Sequence, residues 1–600
     1  GNYWGSYKYR FVARLRAGID VASAQSDVRV AARRIRVMNT VWDQGEKYGV
    51  DAKVTPLQAQ LAGDARTTML VLLGVVLALL MIACANVANL VLVRSTERER
   101  EFAVRTALGC SRTRLARQLI TENLILALMG GVSALILATA GVRLLGAALP
   151  PQIPRTAAIE VDGRVMLFTT VLALLTGLAV GLIPSIRAAR PIRARGLTDL
   201  RGASRGVNHA RSANVLTIVQ LALAVILVTA SGLLLRSFDA IRQANTGFSA
   251  EQVIVARITL PSGLYKEEAR QSAFARNVLS QLEQANGIAS VGIVDRPPLR
   301  APVYGRAMRV QGQFEDFRNT LPLIEHSQSV SPNYFGTMGI RIKSGRAFDG
   351  TDRDSAPPVA IVSASLAKRF WPNTEAVGHH LGMPYASPWI TVVGVVAEVQ
   401  QDSLNGKTEE TVYFPFAQRP TADFTVVAKT SIGVKGFSNQ VNQLVKGLDP
   451  MAPVSGVSAM NDVVATSFAR ARFTAFLLSG FALLALLISA VGVYGVVSST
   501  VTQRTREMGV RMALGATPLQ VLGHLMSRGV TLAGAGAFAG VVGALFASRW
   551  LTSLLYGVTS TDAITFVSAP LILTTVGLLA TWLPARRLIQ HSASISLRED

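Results

Sequence analysis

What this chain lacks narrows its class before any motif is read. It has two cysteines, Cys84 inside an apolar run and Cys110 in a basic loop, too few for a disulfide framework. No segment reads GxxxxGK[ST], so no P-loop nucleotide site is expected in these residues. HExxH, a nucleophile elbow and clustered metal ligands are missing too, and no catalytic, cofactor or metal residue is assigned. The adjacent His379 and His380, in "AVGHHLG", read as a surface turn. Charged residues make up only 16% of the chain against 50% hydrophobic, the balance of a membrane protein with sizeable soluble parts.

Long apolar runs, by contrast, are plentiful. About 20 apolar residues are needed to cross a bilayer as a helix. Seven runs qualify: 69–93, 120–142, 165–186, 214–235, 473–497, 524–547 and 564–583. Taken from residue 123 in the second, six of them contain no Asp, Glu, Lys, Arg or His; the run 524–547 carries Arg528 near its start. Ionisable groups at membrane depth mark ion-coupled transport, so a secondary transporter is disfavoured. Small residues recur instead, with Gly536 and Gly540 at a spacing that lets helices approach closely.

The connectors orient these spans. Loops 94–118 and 187–212 hold seven Arg each, and 498–523 holds Arg504, Arg506 and Arg511. On the other side, 143–164 and 548–563 carry only Arg143, Arg155, Arg164 and Arg549. Positive charge stays inside, which places 1–66 and 236–470 outside the cytoplasm and the C-terminus within. The net charge of +23 is thus largely a topology signal. The lipid bilayer is the implied partner and nucleic acid is not.

The chain also repeats itself. "REFAVRTALG" (100–109) returns as "REMGVRMALG" (506–515), with Arg, Glu, Val, Arg, Ala, Leu and Gly in register. "FTTVLALLTGLAVGLIPSIRAAR" from Phe168 matches "FVSAPLILTTVGLLATWLPARRL" from Phe566, each ending at a proline, Pro184 or Pro584, and an Arg cluster. Upstream, "FVARLRAGIDVASAQSDVRVAARRI" and "FTVVAKTSIGVKGFSNQVNQLVKGL" both read as strand, turn and amphipathic helix. Two homologous halves account for this. The second would be complete from about residue 214, as one span, an outside domain and three spans. The first would lack its start, with an eighth span expected before residue 1. The expected divisions are 1–66 (end of a first outside domain), 67–212 (three spans), 213–235 (one span), 236–470 (outside domain) and 471–600 (three spans).

Each copy of the short repeat reads as a charged helix near the inner surface. Glu101 and Glu507 precede Arg105 and Arg511 by four residues, the favourable order for a helical pair. Gly109 and Gly515 suit a helix C-cap. Ser111, and Thr517 with Pro518, suit the start of the next helix. The chain is expected to leave the membrane, form this short helix, turn sharply and re-enter. An inert juxtamembrane elbow is the competing reading on local sequence alone; duplication favours the functional one, because two equivalent elbows could meet a two-fold partner. Within 236–470, strand and helix signals alternate: "EQVIVARITL" as a strand, 266–287 as a helix burying Phe274, Val278 and Leu282, "PVAIVSASLAKRFW" as strand then helix, "WITVVGVVAEVQ" as a buried strand.

"VSPNYFGTMGIRIKSGRAFDGTD" (330–352), "GFALLALLISAVGVYGVVSSTVTQRTREMGVRMALGATP" (480–518) and the late "PARR" closely resemble the MacB/FtsX-like permeases of ABC transporters, in a duplicated arrangement. The resemblance implies a polytopic α-helical bundle with α/β extracytoplasmic MacB-like core domains. It also implies coupling helices at Arg98–Ala107 and Arg504–Ala513 that dock on a separate cytoplasmic ABC ATPase dimer. The residues expected to form the coupling site are Arg100, Glu101, Arg105, Leu108 and Gly109, and Arg506, Glu507, Arg511, Leu514 and Gly515. Function by analogy is mechanotransmission or efflux in a bacterial inner membrane, with ATP hydrolysed elsewhere and a periplasmic partner on the outside. The competing reading is a signalling scaffold that activates an external partner such as a cell-wall hydrolase. One departure stands out: Glu122 starts the re-entering helix of the first copy, where the second has Arg528, a poorer match to a positive helix N-terminus.

Overall fold

The computed structural model describes residues 12–38, 54–57, 65–97, 111–148, 161–188, 203–300, 306–314, 323–324, 326–383, 388–402, 410–513 and 517–595. The chain forms two units, one from 1–64 with 241–470 and the other from 65–240 with 471–600.

The second unit is helical. Its helices are α2 (Ala65–Glu97), α3 (Arg112–Ala148), α4 (Gly163–Ala188), α5 (Ala203–Gln243), α11 (Ala469–Ala513), α12 (Pro518–Leu551) and α13 (Ala563–Ile595). Among the described residues six are long and apolar enough to cross a membrane, in α2, α3, α5, α11, α12 and α13. The remaining span expected, 165–186, lies in α4, whose described apolar stretch, Gly163–Leu178, is shorter. Pro184 and Pro584 fall inside α4 and α13 rather than ending them, each late in its helix.

A core of Val75 and Ile82 from α2, Leu221 and Val225 from α5, Leu478 and Ala485 from α11, and Leu573 from α13 holds the bundle. Small residues set its close contacts. A methyl added at Gly536 would lie 2.6 Å from Leu221 Cβ, and one at Gly540 2.5 Å from Val225 Cβ. The duplication recurs in the packing of the hairpins. Ala127 of α3 meets Gly177 of α4, and Ala533 of α12 meets Gly577 of α13. The two alanines stand as far apart in sequence as the two copies of the charged repeat.

The first unit is α/β. It opens with α1 (Val21–Met38), the amphipathic helix expected after "FVARLRAGID", although Val12–Arg16 forms no strand. Its strands are β1 (Val253–Thr259), β2 (Ile288–Val294), β3 (Arg306–Ala307), β4 (Arg309–Val310), β5 (Leu323–Ile324), β6 (His326–Val330), β7 (Ile342–Gly345), β8 (Val359–Ser363), β9 (His380–Gly382), β10 (Ile390–Val396), β11 (Thr411–Pro415), β12 (Asp423–Thr430) and β13 (Val454–Ala459). Eleven of them form one mixed sheet in the order β13-β1-β12-β2-β6-β11-β8-β10-β9-β4, with β7 paired to β10. Only β6–β11 and β8–β10 run parallel within it. The two halves of the sheet join through a single residue pair between β2 and β6, Val294 opposite Val330.

Period-2 alternation explains how β1 serves two cores. Ile254, Ala256 and Ile258 face α6 (Glu268–Glu283) and α9 (Gly433–Leu448), with Phe274, Val278, Leu282, Phe437 and Val441. Val253 and Val255 face the opposite core around Tyr334, Phe335 and Met338, where α7 (Tyr334–Thr337) and α10 (Met460–Ser467) lie. A third core packs α8 (Ala364–Phe370) on β8 and β10 through Leu366, Phe370 and Val392. The "SPNYFGTMG" and "SGRAFDGTD" stretches thus have structural causes. Tyr334, Phe335 and Met338 are buried aromatic and sulfur packing. Gly345 adopts φ +73 where a side chain would strike the Val393 carbonyl, and only Gly fits. Arg346 next to it grips Asp352 with both guanidinium nitrogens, at 2.7 and 2.8 Å.

Candidate functional site

The second copy of the charged repeat lies on α11, which runs unbroken from Ala469 to Ala513. Arg506, Glu507 and Arg511 are therefore the continuation of the spanning helix, not a separate short element. The cause is local: Val497 to Arg511 contains no proline, and Gly509 alone is tolerated in a helix. At 1.5 Å per residue the helix is roughly 68 Å long, about twice the hydrocarbon thickness of a bilayer. Leu514 and Gly515 lie outside the described residues. Helix α12 then starts as its sequence requires. Thr517 Oγ1 accepts from Gln520 N at 3.4 Å, Thr517 N donates to Gln520 Oε1 at 3.0 Å, and Pro518 takes the first helical position.

The first copy lies outside the described residues, and with it Arg100, Glu101, Arg105, Leu108 and Gly109. Its flanks are in place: α2 reaches Glu97, and α3 begins after Ser111, whose carbonyl accepts from Arg114 N at 3.0 Å. Glu122 and Arg528 sit about three turns into α3 and α12. The helix dipole acts within the first turn, so the contrast expected between them on that ground does not arise.

Sequence reasoning that screened the spans for charges passed over their amides. Asn86 of α2 donates through Nδ2 to the carbonyl of Ile488 on α11 at 2.6 Å, and Gln220 of α5 reaches the same oxygen from Nε2 at 3.4 Å. Gly492 makes the room, since a methyl there would lie 2.0 Å from Asn86 Oδ1. The available signal was plain in hindsight of composition: amides three residues apart in one apolar run, Asn86 and Asn89, and another in Gln220. Nearer the end of α5, Arg236 pairs with Asp562, which also accepts from Thr565 N at 2.9 Å and Thr565 Oγ1 at 2.7 Å, capping α13. Tyr556 N donates to Ser237 Oγ at 2.8 Å.

In the α/β unit the polar groups tie strands and helices together. Glu398 accepts from Ser365 N and from Ser365 Oγ, the latter at 3.0 Å, at the start of α8; burial raises its pKa. Gln328 Nε2 donates to Gln401 Oε1 at 2.8 Å, and Gln401 Nε2 to Tyr413 at 2.9 Å; burial pushes the Tyr413 phenol upward. Asp295, next to the β2–β6 junction, is pushed up to about 6 by burial of its carboxyl, against the opposing pull of Arg296. His379 lies in the expected turn but stacks on Trp371 at 5.2 Å, and His380 opens β9. Among the described residues no three His, Cys, Asp or Glu side chains gather as metal ligands.

These features define a multi-pass membrane protein with an extracytoplasmic α/β domain. The family model for the FtsX-like permease C-terminal domain matches it twice, at 73–191 and 479–593, and the MacB-like periplasmic core domain matches 214–447. The chain belongs to the MacB/FtsX-like ABC permease family. The macrolide export ATP-binding/permease protein MacB of Hahella chejuensis is 28% identical over 43% of this chain and 40% of its own length. An uncharacterized ABC transporter permease, YknZ of Bacillus subtilis, is 26% identical over 35% of this chain and 54% of its own. The chain thus spans about half the length, or less, of these relatives. Among solved structures, the periplasmic region of MacB from Actinobacillus actinomycetemcomitans aligns at 14% identity with a TM-score of 0.27, covering 38% of this chain and 96% of that one.

Proposed function

We propose that this chain is the permease subunit of an ABC-type mechanotransmission or efflux system of the bacterial inner membrane. A separate cytoplasmic ATPase dimer would supply the energy, and movement of the extracytoplasmic domain would be the output. The reading divides the chain into permease parts at 67–212 and 471–600, a single span at 213–235, and outside parts at 1–66 and 236–470.

The observation that carries the reading is the continuity of α11. One residue, Phe468, separates it from α10, the last helix before it, and it extends unbroken into the charged repeat. A helix is stiff along its axis, so force applied to Arg506, Glu507 and Arg511 travels along it instead of dissipating in a loop. On this reading the two copies of the repeat, through Leu108 and Leu514, present apolar contacts to the ATPase. Leu108→Asp or Leu514→Asp would bury an unpaired carboxylate at that contact. Each is expected to lower co-purification of the ATPase from native membranes while membrane insertion and protease resistance of the outside domain persist. Retention of the ATPase at wild-type level by both variants would overturn the coupling role. An external partner captured with no ATPase bound to the parent chain would favour the signalling scaffold.

A further inference from the structure

Helices α2 and α11 lead toward the two copies of the charged repeat, and they meet along a self-matching face. Asn86, Asn89 and Leu90 of α2 and Gly492, Gly495 and Val496 of α11 line one narrow, largely apolar gap. Asn86 and Gly492, Asn89 and Gly495, and Leu90 and Val496 each stand as far apart in sequence as the copies of the repeat. The same positions of the two copies therefore come together, as they do where a two-fold axis crosses an interface. A methyl at Gly492 would meet Asn86, and one at Gly495 would meet Leu90 Cδ2 at 3.6 Å. The order of contacts is thus the same along both helices. They run parallel, and the axis between them points toward the repeats.

Across this axis the matched residues are unlike: where α2 carries an amide, α11 carries no side chain. Asn86 fills the space that Gly492 leaves and donates to the Ile488 carbonyl at 2.6 Å. A second copy of α2 in the place of α11 would bring a Cβ to within 2.0 Å of Asn86 Oδ1. Asn86 could yield only by giving up Ile488. A second copy of α11 in the place of α2 would set glycine against glycine, leaving a gap that forfeits packing contacts. Like halves collide or leave space; unlike halves fit. Within the chain, α2 and α11 also share one core with α5 and α13, and linkage keeps the two halves at high effective concentration. We propose that the α2–α11 face is restricted to unlike halves and closes within one chain. A single chain, not a pair, then supplies the two-fold platform for the ATPase dimer, a step that rests on the function proposed above.

Closure is tested in the full chain with Cys84→Ala and Cys110→Ser, using a short bifunctional thiol reagent. Leu90→Cys and Gly495→Cys are placed on one chain, or one on each of two co-expressed chains with different tags. A link within the doubly substituted chain and none between the tagged chains is the expected result; a link between them overturns closure. Specificity is read from SDS-titrated unfolding. Gly492→Asn with Gly495→Asn makes both copies amide-bearing, and Asn86→Gly with Asn89→Gly makes both amide-free; each should lower the midpoint. All four changes together restore unlike halves with their roles reversed, and should unfold later than the amide-bearing variant. Both of those variants crowd Gln220 Nε2 equally, 2.6 Å from a Cβ at Gly492, so their difference reads the α2–α11 face. A fourfold variant at or below the amide-bearing one overturns the restriction, and the cross-link stands by itself if these variants fail to fold. The native mass of the chain purified with its ATPase should show one chain per two ATPase subunits, and two chains would overturn the single-chain platform. Cross-linking needs no ATPase, so absence of an ATPase would defeat the proposed function while the pairing is still decided.

Discussion

Replacing Gly540 with alanine perturbs the bundle by one methyl group, and the structure states what that methyl meets. Its Cβ would stand 2.5 Å from Val225 Cβ and 2.9 Å from the Ala222 carbonyl oxygen. Carbon atoms rest about 3.5–4.0 Å apart, so α12 and α5 must separate locally by roughly 1 Å. Neither obstacle can rotate away, because one is a Cβ and the other is backbone. Overpacking of this kind costs about 1–3 kcal/mol. Gly536→Ala meets Leu221 Cβ at 2.6 Å and belongs in the same class. Gly543→Ala meets the far end of Ile226, Cδ1 at 2.7 Å, and a rotamer change should hold its cost below about 1 kcal/mol. Gly534→Ala meets nothing within 4 Å and serves as the control. In SDS-titrated unfolding of the purified chain, the midpoints should rank Gly534→Ala at or above Gly543→Ala, with Gly536→Ala and Gly540→Ala well below. Equal midpoints for Gly540→Ala and Gly534→Ala would refute the close helix contact. Adding Val225→Ala should not rescue Gly540→Ala, since alanine keeps the obstructing Cβ.

Asp295 makes stability depend on pH. Its folded pKa, about 6, lies above the ordinary carboxylate value of 3.8, so the native state is penalised as pH rises from near 4 through 6 and bears the full penalty above. Asp295→Asn should therefore stabilise the outside domain by on the order of 3 kcal/mol at pH 7.5 and by only about 0.5 kcal/mol at pH 4. Hydrogen exchange of the full chain would show it, and an equal gain at both pH values would contradict the titration. For topology, a background with Cys84→Ala and Cys110→Ser should expose Ser280→Cys, on the solvent face of α6, to an impermeant external thiol reagent. Ser204→Cys should stay protected until the membrane is opened, and its labelling from outside would reverse the orientation.

How much of this was legible in the sequence follows from how local each cause is. Spans, caps and strands depend on neighbours within a few residues. The apolar runs, the Thr517–Pro518 helix start and the alternation of β1 could accordingly be read directly, and the reciprocal bonds of Gln520 to Thr517 came with the structure. The continuity of α11 was equally local, because no breaker separates Val497 from Arg511, yet the repeated charges suggested a separate helix. The duplication could be read as well, since both copies are written in the same letters. Tertiary structure alone decided which groups meet across distance. Asn86 lies 402 residues from Ile488, and Gln220 lies 268 residues from it. In an apolar run an amide has no local periodicity that names its partner. The same holds for Gly540, whose missing side chain acquires a meaning only when Val225 arrives against it. Hydropathy is a sum over adjacent residues and places helices in a membrane; close packing is a property of pairs, and the pairs exist only once the bundle has assembled.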